Sequence, residues 1–208
     1  MIIEGIQGVG GIRVPNADFW AIARKCCDET GTFLIADEVQ SGYGRTGKFF
    51  AHQYTDVKAD IISMAKGMGN GFPIAGLLLA PSIQATKGML GTTFGGSHLA
   101  CAAALAVLEV INKEYLLNNA AALGKYLIQE LKKVEGVTEV RGEGLIIGVE
   151  TGFPQGEVRN LLTHKYHIMT GYSGKHTLRL LPPLVITRKE CDEFLNGFRE
   201  IMETLNKG

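Results

Sequence analysis

The chain has 208 residues, enough for one large or two small domains, and its 46% hydrophobic and 20% charged residues are an ordinary globular balance. A formal net charge of zero gives no reason to expect nucleic acid or a polyanionic surface as partner. No apolar run approaches bilayer length and no basic segment precedes an apolar stretch at the start, so no membrane partner and no signal peptide are expected, and the expected location is cytoplasmic.

In chain order, Ile2-Ile3 opens as a strand that reads as cut short, and Gly5 to Gly11 reads as a loop. Asn16 can cap a helix from about Ala17 to Glu29. Thr30-Gly31-Thr32 turns into a strand over Phe33–Ala36, and Ser41 to Gly47 is a glycine-rich loop. Asp60–Ser63 predicts a short strand and Ala75–Ala80 another, whose continuous apolarity predicts burial on both faces. This alternation implies an α/β layer with parallel pairing. Ser97 predicts the start of a helix running through Ala100–Ile111, and a second helix spans about Leu116 to Val134, with Leu123, Leu127 and Leu131 at four-residue spacing. Val137–Arg141 and Leu145–Glu150 flank Gly142-Glu143-Gly144 like a hairpin. A helix near Glu157–Lys165, a strand around Thr177–Leu181 and a helix over Lys189–Leu205 complete an α+β unit. A soft boundary near Asn112–Leu117 divides residues 1–112 from residues 113–208.

The four cysteines, Cys26, Cys27, Cys101 and Cys191, form no Cys-x-x-Cys pair and no zinc-spaced cluster, so reduced thiols and no metal site are expected. The 27 glycines gather around the apolar runs, a pattern suited to tight turns and close approach of backbone to ligand. They make no nucleotide fingerprint, since neither Gly67-x-Gly69-x-Gly71 nor Gly8-x-Gly10-Gly11 has the required spacing.

Two residues carry chemistry. Asp37 follows the apolar run Phe33–Ala36, and Lys66 follows Ile61-Ile62 in Ser63-Met64-Ala65-Lys66-Gly67. Ligands of open α/β sheets bind at strand ends, where a lysine can form a Schiff base with an aldehyde cofactor and an aspartate can keep a pyridine nitrogen protonated. Each residue alone is more often a solvated lysine or a turn aspartate, and the pair is only the minimum equipment of a pyridoxal-phosphate enzyme.

Longer motifs add to this pair. Leu34-Ile35-Ala36-Asp37-Glu38-Val39-Gln40-Ser41-Gly42-Tyr43-Gly44-Arg45-Thr46-Gly47, Ser63-Met64-Ala65-Lys66-Gly67 and Gly91-Thr92-Thr93-Phe94-Gly95-Gly96-Ser97 together resemble the class III aminotransferases. Glu4-Gly5-Ile6-Gln7-Gly8 and Leu178-Arg179-Leu180-Leu181-Pro182-Pro183-Leu184 extend the likeness over essentially the whole chain, which within the class is most similar to the acetylornithine aminotransferases.

The resemblance implies a fold-type I (aspartate aminotransferase-like) α/β architecture. Residues 1–112 would be the C-terminal part of a large cofactor-binding domain, and residues 113–208 a small α+β domain. It implies pyridoxal 5'-phosphate as cofactor, with Lys66 carrying the Schiff base and serving as base and acid of the 1,3-proton shift. Asp37 would pair with the pyridinium nitrogen, Gln40 with the phenolic oxygen, and Val39 would pack on the ring. Thr93 would bind the phosphate of a neighbouring subunit's cofactor, which makes the parent protein a homodimer. Thr92, Glu4 and Arg179 would border the substrate, with Arg179 receiving its α-carboxylate; an interdomain ion pair is the plainer role for that arginine. Ser97 could start an anion-friendly helix terminus or be only a cap. The implied reaction moves the δ-amino group of N-acetylornithine or N-succinylornithine to 2-oxoglutarate, in arginine biosynthesis. Another ω-aminotransferase acting on ornithine or 4-aminobutyrate, or an aminomutase, shares the same lysine and aspartate.

Two departures from the family pattern stand out. Gly5 replaces a proline, and Val9 replaces a glutamate that in related enzymes covers the arginine matched by Arg179. With Val9 that cover cannot form, so Arg179 is expected to stay free or to find another acid. The family's N-terminal half is also expected to be missing, with its phosphate cup and ring-stacking aromatic. On that reading these residues alone are a catalytically incompetent fragment.

Overall fold

The computed structural model describes residues 1–89 and 91–207. It contains two four-stranded sheets, one built from the first half of the chain and one from the second. The first sheet has the order β1 (Ile2–Glu4), β2 (Ile35–Asp37), β3 (Ile61–Met64), β4 (Gly76–Leu79). β1, β2 and β3 run parallel, in the register Glu4↔Asp37↔Ser63. β4 is antiparallel to β3, contrary to the parallel pairing expected of the whole layer. The segment between them carries only a short 3-10 turn, Lys66–Met68, and is too short for the helical crossover that parallel strands need.

The helix α1 (Ala17–Thr30) starts where the sequence predicts. The Asn16 side chain accepts from the Phe19 N–H at 2.7 Å, and Gly31 ends the helix in the left-handed region. Its buried face is Trp20, Ala23 and Cys27, of which Trp20 and Cys27 pack with Leu34 and Ala36. β2 begins two residues later than expected and includes Asp37, because the Leu34 N–H is taken by the Asp60 carboxylate rather than by a neighbouring strand. The expectation that β4 is buried on both faces fails: Leu77 and Leu78, on opposite faces, are 50% and 49% exposed, since among the described residues no helix packs over this edge strand.

The helix α2 (His98–Lys113) is capped by Ser97, whose Oγ accepts from the Ala100 N–H at 3.3 Å. It is followed by α3 (Leu116–Leu131), with Leu116, Ala120, Gly124, Leu127 and Leu131 on its buried stripe. The second sheet has the order β5 (Val137–Glu143), β6 (Ile146–Thr151), β8 (Thr177–Leu180), β7 (Gly171–Ser173), all antiparallel. The hairpin turn falls at Gly144-Leu145, past the predicted Gly142–Gly144, and β7 has no counterpart in the sequence reading. The helices α4 (Gln155–Tyr166) and α5 (Arg188–Lys207) join α3 over one face, closing a core of Ile147, Val149, Leu178, Leu162, Leu195 and Phe198. Among the described residues no helix is long and apolar enough to cross a membrane.

Candidate active site

The parallel register puts Glu4, Asp37 and Ser63 in one row at the C-terminal ends of adjacent strands. Side chains paired across neighbouring strands share a face, so the row forms a polar rim where ligands of open sheets bind. Asp37 is held in place: its Oδ1 accepts from the Val39 N–H at 3.0 Å and from the Ser63 hydroxyl at 3.2 Å. Its second oxygen takes no hydrogen bond among the described residues. The Glu4 carboxylate accepts from the Gly8 N–H at 2.9 Å and fixes the loop after β1.

Lys66 lies three residues beyond Ser63 and is exposed. Its φ is +43°, a left-handed conformation that a lysine rarely adopts and that here turns the chain sharply out of β3. Lys66 and Gln40 line one cleft of about 490 Å³, which also takes in Tyr43, Arg45 and Asn70 and has an apolar wall of Val107, Val110 and Leu184. Gln40 reaches it over Gly8, where a Cβ would stand 1.4 Å from the Gln40 Oε1. Any side chain at position 8 would evict that amide.

The loop carrying Val39 and Gln40 is pinned by Glu38, which is buried. One Glu38 oxygen accepts from the His52 backbone N–H at 2.8 Å and meets the His52 ring Nδ1 at the same distance. The other accepts from the Ala51 N–H at 3.0 Å and the Ser41 hydroxyl at 2.5 Å. Arg45 closes the loop. Its Nη1 donates to the Leu145 carbonyl at 3.3 Å and to the Pro182 carbonyl, both beside the second sheet. Burial pushes its guanidinium down to about 10.

Arg179 sits on the second sheet, in β8, between Gly148 of β6 and Gly171 of β7. Its Nε and Nη1 are buried and have no hydrogen-bond partner among the described residues. Val9 is 74% exposed, and the Val9 carbonyl is taken by the Ser173 hydroxyl at 2.6 Å. Of the two outcomes the sequence left open for Arg179, the structure has the free one. Thr92 and Thr93 are exposed on the loop ahead of α2, and Thr92 borders a separate cleft with Ile74, Phe94 and Ala100.

Lys66 and Gln40 therefore share one cleft, Asp37 and Glu4 border a second with Ile2, Ile3 and Gln7, Arg179 lines a third with His167 and Thr170, and the threonines stand apart. The sequence reading gave no role to Ser63, Glu38 or Arg45, although all three lie inside the motifs it quoted. The glycine pair around Arg45, Gly44 and Gly47, was the one signal of its tight seat.

The donor set fits the ring end of pyridoxal phosphate: a carboxylate with an open oxygen, an amide and a primary amine. An orphaned buried guanidinium fits a substrate carboxylate. Donors for the phosphate are not gathered at this row among the described residues.

The family model "Aminotransferase class-III" matches residues 1–202. An acetylornithine aminotransferase of Methanosarcina mazei is 40% identical over 198 residues, covering 94% of this chain and 50% of the relative. Ornithine aminotransferase 1 of Staphylococcus saprophyticus is 38% identical, covering 98% of this chain and 52% of the relative. The chain thus spans about half the length of the curated relatives it matches. An ornithine aminotransferase structure from Toxoplasma gondii, with partial occupancy of PLP at its active site, superposes with a TM-score of 0.89 at 30% identity, covering 99% of this chain and 51% of that one. An aminotransferase of Bacillus anthracis gives 0.89 at 33% identity, covering 98% and 52%. Matched along nearly its whole length and folded like these solved structures, the chain belongs to the class-III aminotransferases, whose cofactor is pyridoxal phosphate.

Proposed function

We propose that these residues are the C-terminal portion of an enzyme that moves the δ-amino group of an N-acylornithine to 2-oxoglutarate, within arginine biosynthesis. The observation that carries the reading is the parallel register that seats Asp37 beside Ser63 with Lys66 three residues on. Likeness to acetylornithine aminotransferases supports the acylated substrate.

When bound, pyridoxal phosphate supplies an electrophilic carbonyl and an electron-accepting ring. Asp37 would offer its other oxygen to the ring nitrogen and keep a proton there, while Ser63 and the Val39 N–H hold the carboxylate in place. Gln40 would donate to the ring oxygen, and Val39 would pack against the ring. Lys66, on its exposed turn, would be the amine that holds the cofactor and would serve as the proton-moving base and acid. Arg179 would clamp the substrate α-carboxylate in a planar fork, with Glu4 and Thr92 as the further substrate contacts that the family likeness implies. Thr93 serves the phosphate of a second copy, so the working unit is a cytoplasmic homodimer. Residues 1–112 and 113–208, Leu90 and Gly208 lying outside the described residues, act as two domains around the cleft.

The test is a visible absorption titration of the full-length enzyme that contains this chain with pyridoxal phosphate, beside Lys66→Ala. A pH-responsive band that borohydride fixes onto Lys66, and that Lys66→Ala lacks, is expected. Equal labelling of other lysines would sink the assignment of Lys66. A second reading, free ornithine as substrate, is favoured by the ornithine aminotransferase relatives. Turnover of ornithine in preference to N-acetylornithine by the full-length enzyme would establish it.

A further inference from the structure

We propose that Arg141 is a positioning residue that keeps the carboxylate seat at Arg179 open by holding Glu150 away from it. The inference rests on the reading of Arg179 as the receiver of the substrate carboxylate, and adds what leaves that arginine vacant.

The geometry is that of one sheet face. Glu150 pairs with Thr177, and Arg179 lies two residues further along the same strand, on the same face. Such diagonal neighbours are about 7–8 Å apart, within reach of long side chains. The residues flanking Arg179, Gly148 and Gly171, have no side chains to stand between them. An acid this close to a buried guanidinium with two unpartnered nitrogens would ordinarily pair with it.

Glu150 does not, because it is occupied. Its Oε2 accepts from Arg141 Nη2 at 2.9 Å and from the Thr177 hydroxyl at 2.6 Å. Arg141 Nη2 also donates to the Thr177 Oγ1 at 3.2 Å, closing a triangle. The rest of the Arg141 guanidinium is committed elsewhere, Nη1 to Glu139 at 2.8 Å and Nε to the Gly11 carbonyl at 2.6 Å. The Arg141 side chain is only 10% exposed, so it is fixed in that orientation. It therefore does two things for Arg179: it binds the nearest acid, and it anchors the loop of Val9 and Gly11 that lies against this face. With no acid at position 9, the seat stays empty as long as Glu150 stays with Arg141.

The test reads the side-chain Nε–H resonance of Arg179 in the full-length enzyme by nitrogen-15 NMR, assigned with Arg179→Lys, using glutarate as a dicarboxylate probe. Arg141→Gln is expected to move the Arg179 signal without any ligand, as Glu150 turns to it, and to weaken the glutarate response about tenfold. Arg141→Gln with Glu150→Gln is expected to return both to the original values, and Arg141→Lys to keep them. Should Arg141→Gln fail to fold, Thr177→Val removes one leg of the triangle and is expected to move the same signal in the same direction by less. An Arg179 signal unchanged in Arg141→Gln or in Thr177→Val, or one that the second substitution does not restore, overturns the proposal. If glutarate leaves Arg179 untouched in the original chain while the ligand-free shift and its reversal are seen, the guard on Arg179 stands and the carboxylate reading falls.

Discussion

At the scale of single residues, the site is governed by what surrounds the reactive groups. The Gln40 amide occupies the space over Gly8. In Gly8→Ala the new methyl meets the far end of a flexible side chain, so Gln40 swings away and the fold adapts. Pyridoxal-phosphate affinity is expected to fall about tenfold, read by absorbance titration. The urea midpoint is expected to change little, read by circular dichroism. The residue scale is also where the sequence was most legible for chemistry. Asp37 and Lys66 stand out because each follows an apolar run, and strand register puts Asp37 beside Ser63, three residues before Lys66. Ser63 was not legible as a partner of Asp37: a serine is common anywhere, and only the pairing of β2 with β3 gives it that role.

At the scale of elements, the loop from Ser41 to Gly47 wedges between the two sheets. A Cβ on Gly144 would stand 2.3 Å from the Thr46 carbonyl carbon, and one on Gly124 would stand 2.0 Å from the Gly144 oxygen. Glycine at these points lets α3, the β5–β6 turn and the loop touch backbone to backbone. Gly124→Ala is expected to destabilise the chain by about 1–3 kcal/mol through overpacking, measured by urea unfolding. The β6–β8 pair carries a pH dependence of its own. Burial disfavours the charged form of Glu150, but the Thr177 hydroxyl and Arg141 outweigh it and hold the carboxyl below its ordinary value. A depressed folded pKa gives stability that is present above the unfolded value of about 4.3 and is lost as pH falls through the folded one. The melting temperature is therefore expected to drop more steeply below about pH 4 in the original chain than in Glu150→Gln. Helices were legible because caps and periodicity are local: Asn16 and Ser97 mark their starts. The strand β7 was not, since Gly171-Tyr172-Ser173 has no pattern of its own and is a strand only because β8 offers an edge.

At the scale of the whole molecule, the two halves are finished to different degrees. The second sheet has three helices over its apolar face. Around the first, Ile2, Leu77, Leu78, Leu99 and Leu105 remain between 49% and 73% exposed. Scattered apolar residues are normal on a surface, but a concentration of this kind is what partner surfaces cover. Fluorescence of an apolar dye is expected to rise on adding this chain, and Leu105→Glu is expected to lower the signal and reduce self-association in size-exclusion chromatography. The sequence foresaw an α/β layer followed by an α+β unit, and both are present. It misjudged β4, because a continuous apolar run says that a strand wants cover without saying that cover is there.

The backbone turn at Lys66 has one more consequence. A left-handed conformation costs a residue with a side chain about 1–2 kcal/mol, and glycine avoids that cost while giving up about 0.5–1 kcal/mol in chain entropy. Lys66 is exposed and gains little back from packing. Glycine at this position would thus be neutral or mildly favourable for folding, so drift under selection for stability alone would not preserve the lysine. Its persistence in a descendant of this chain would be a record of chemistry under selection, and its loss an early mark of a gene released from that duty.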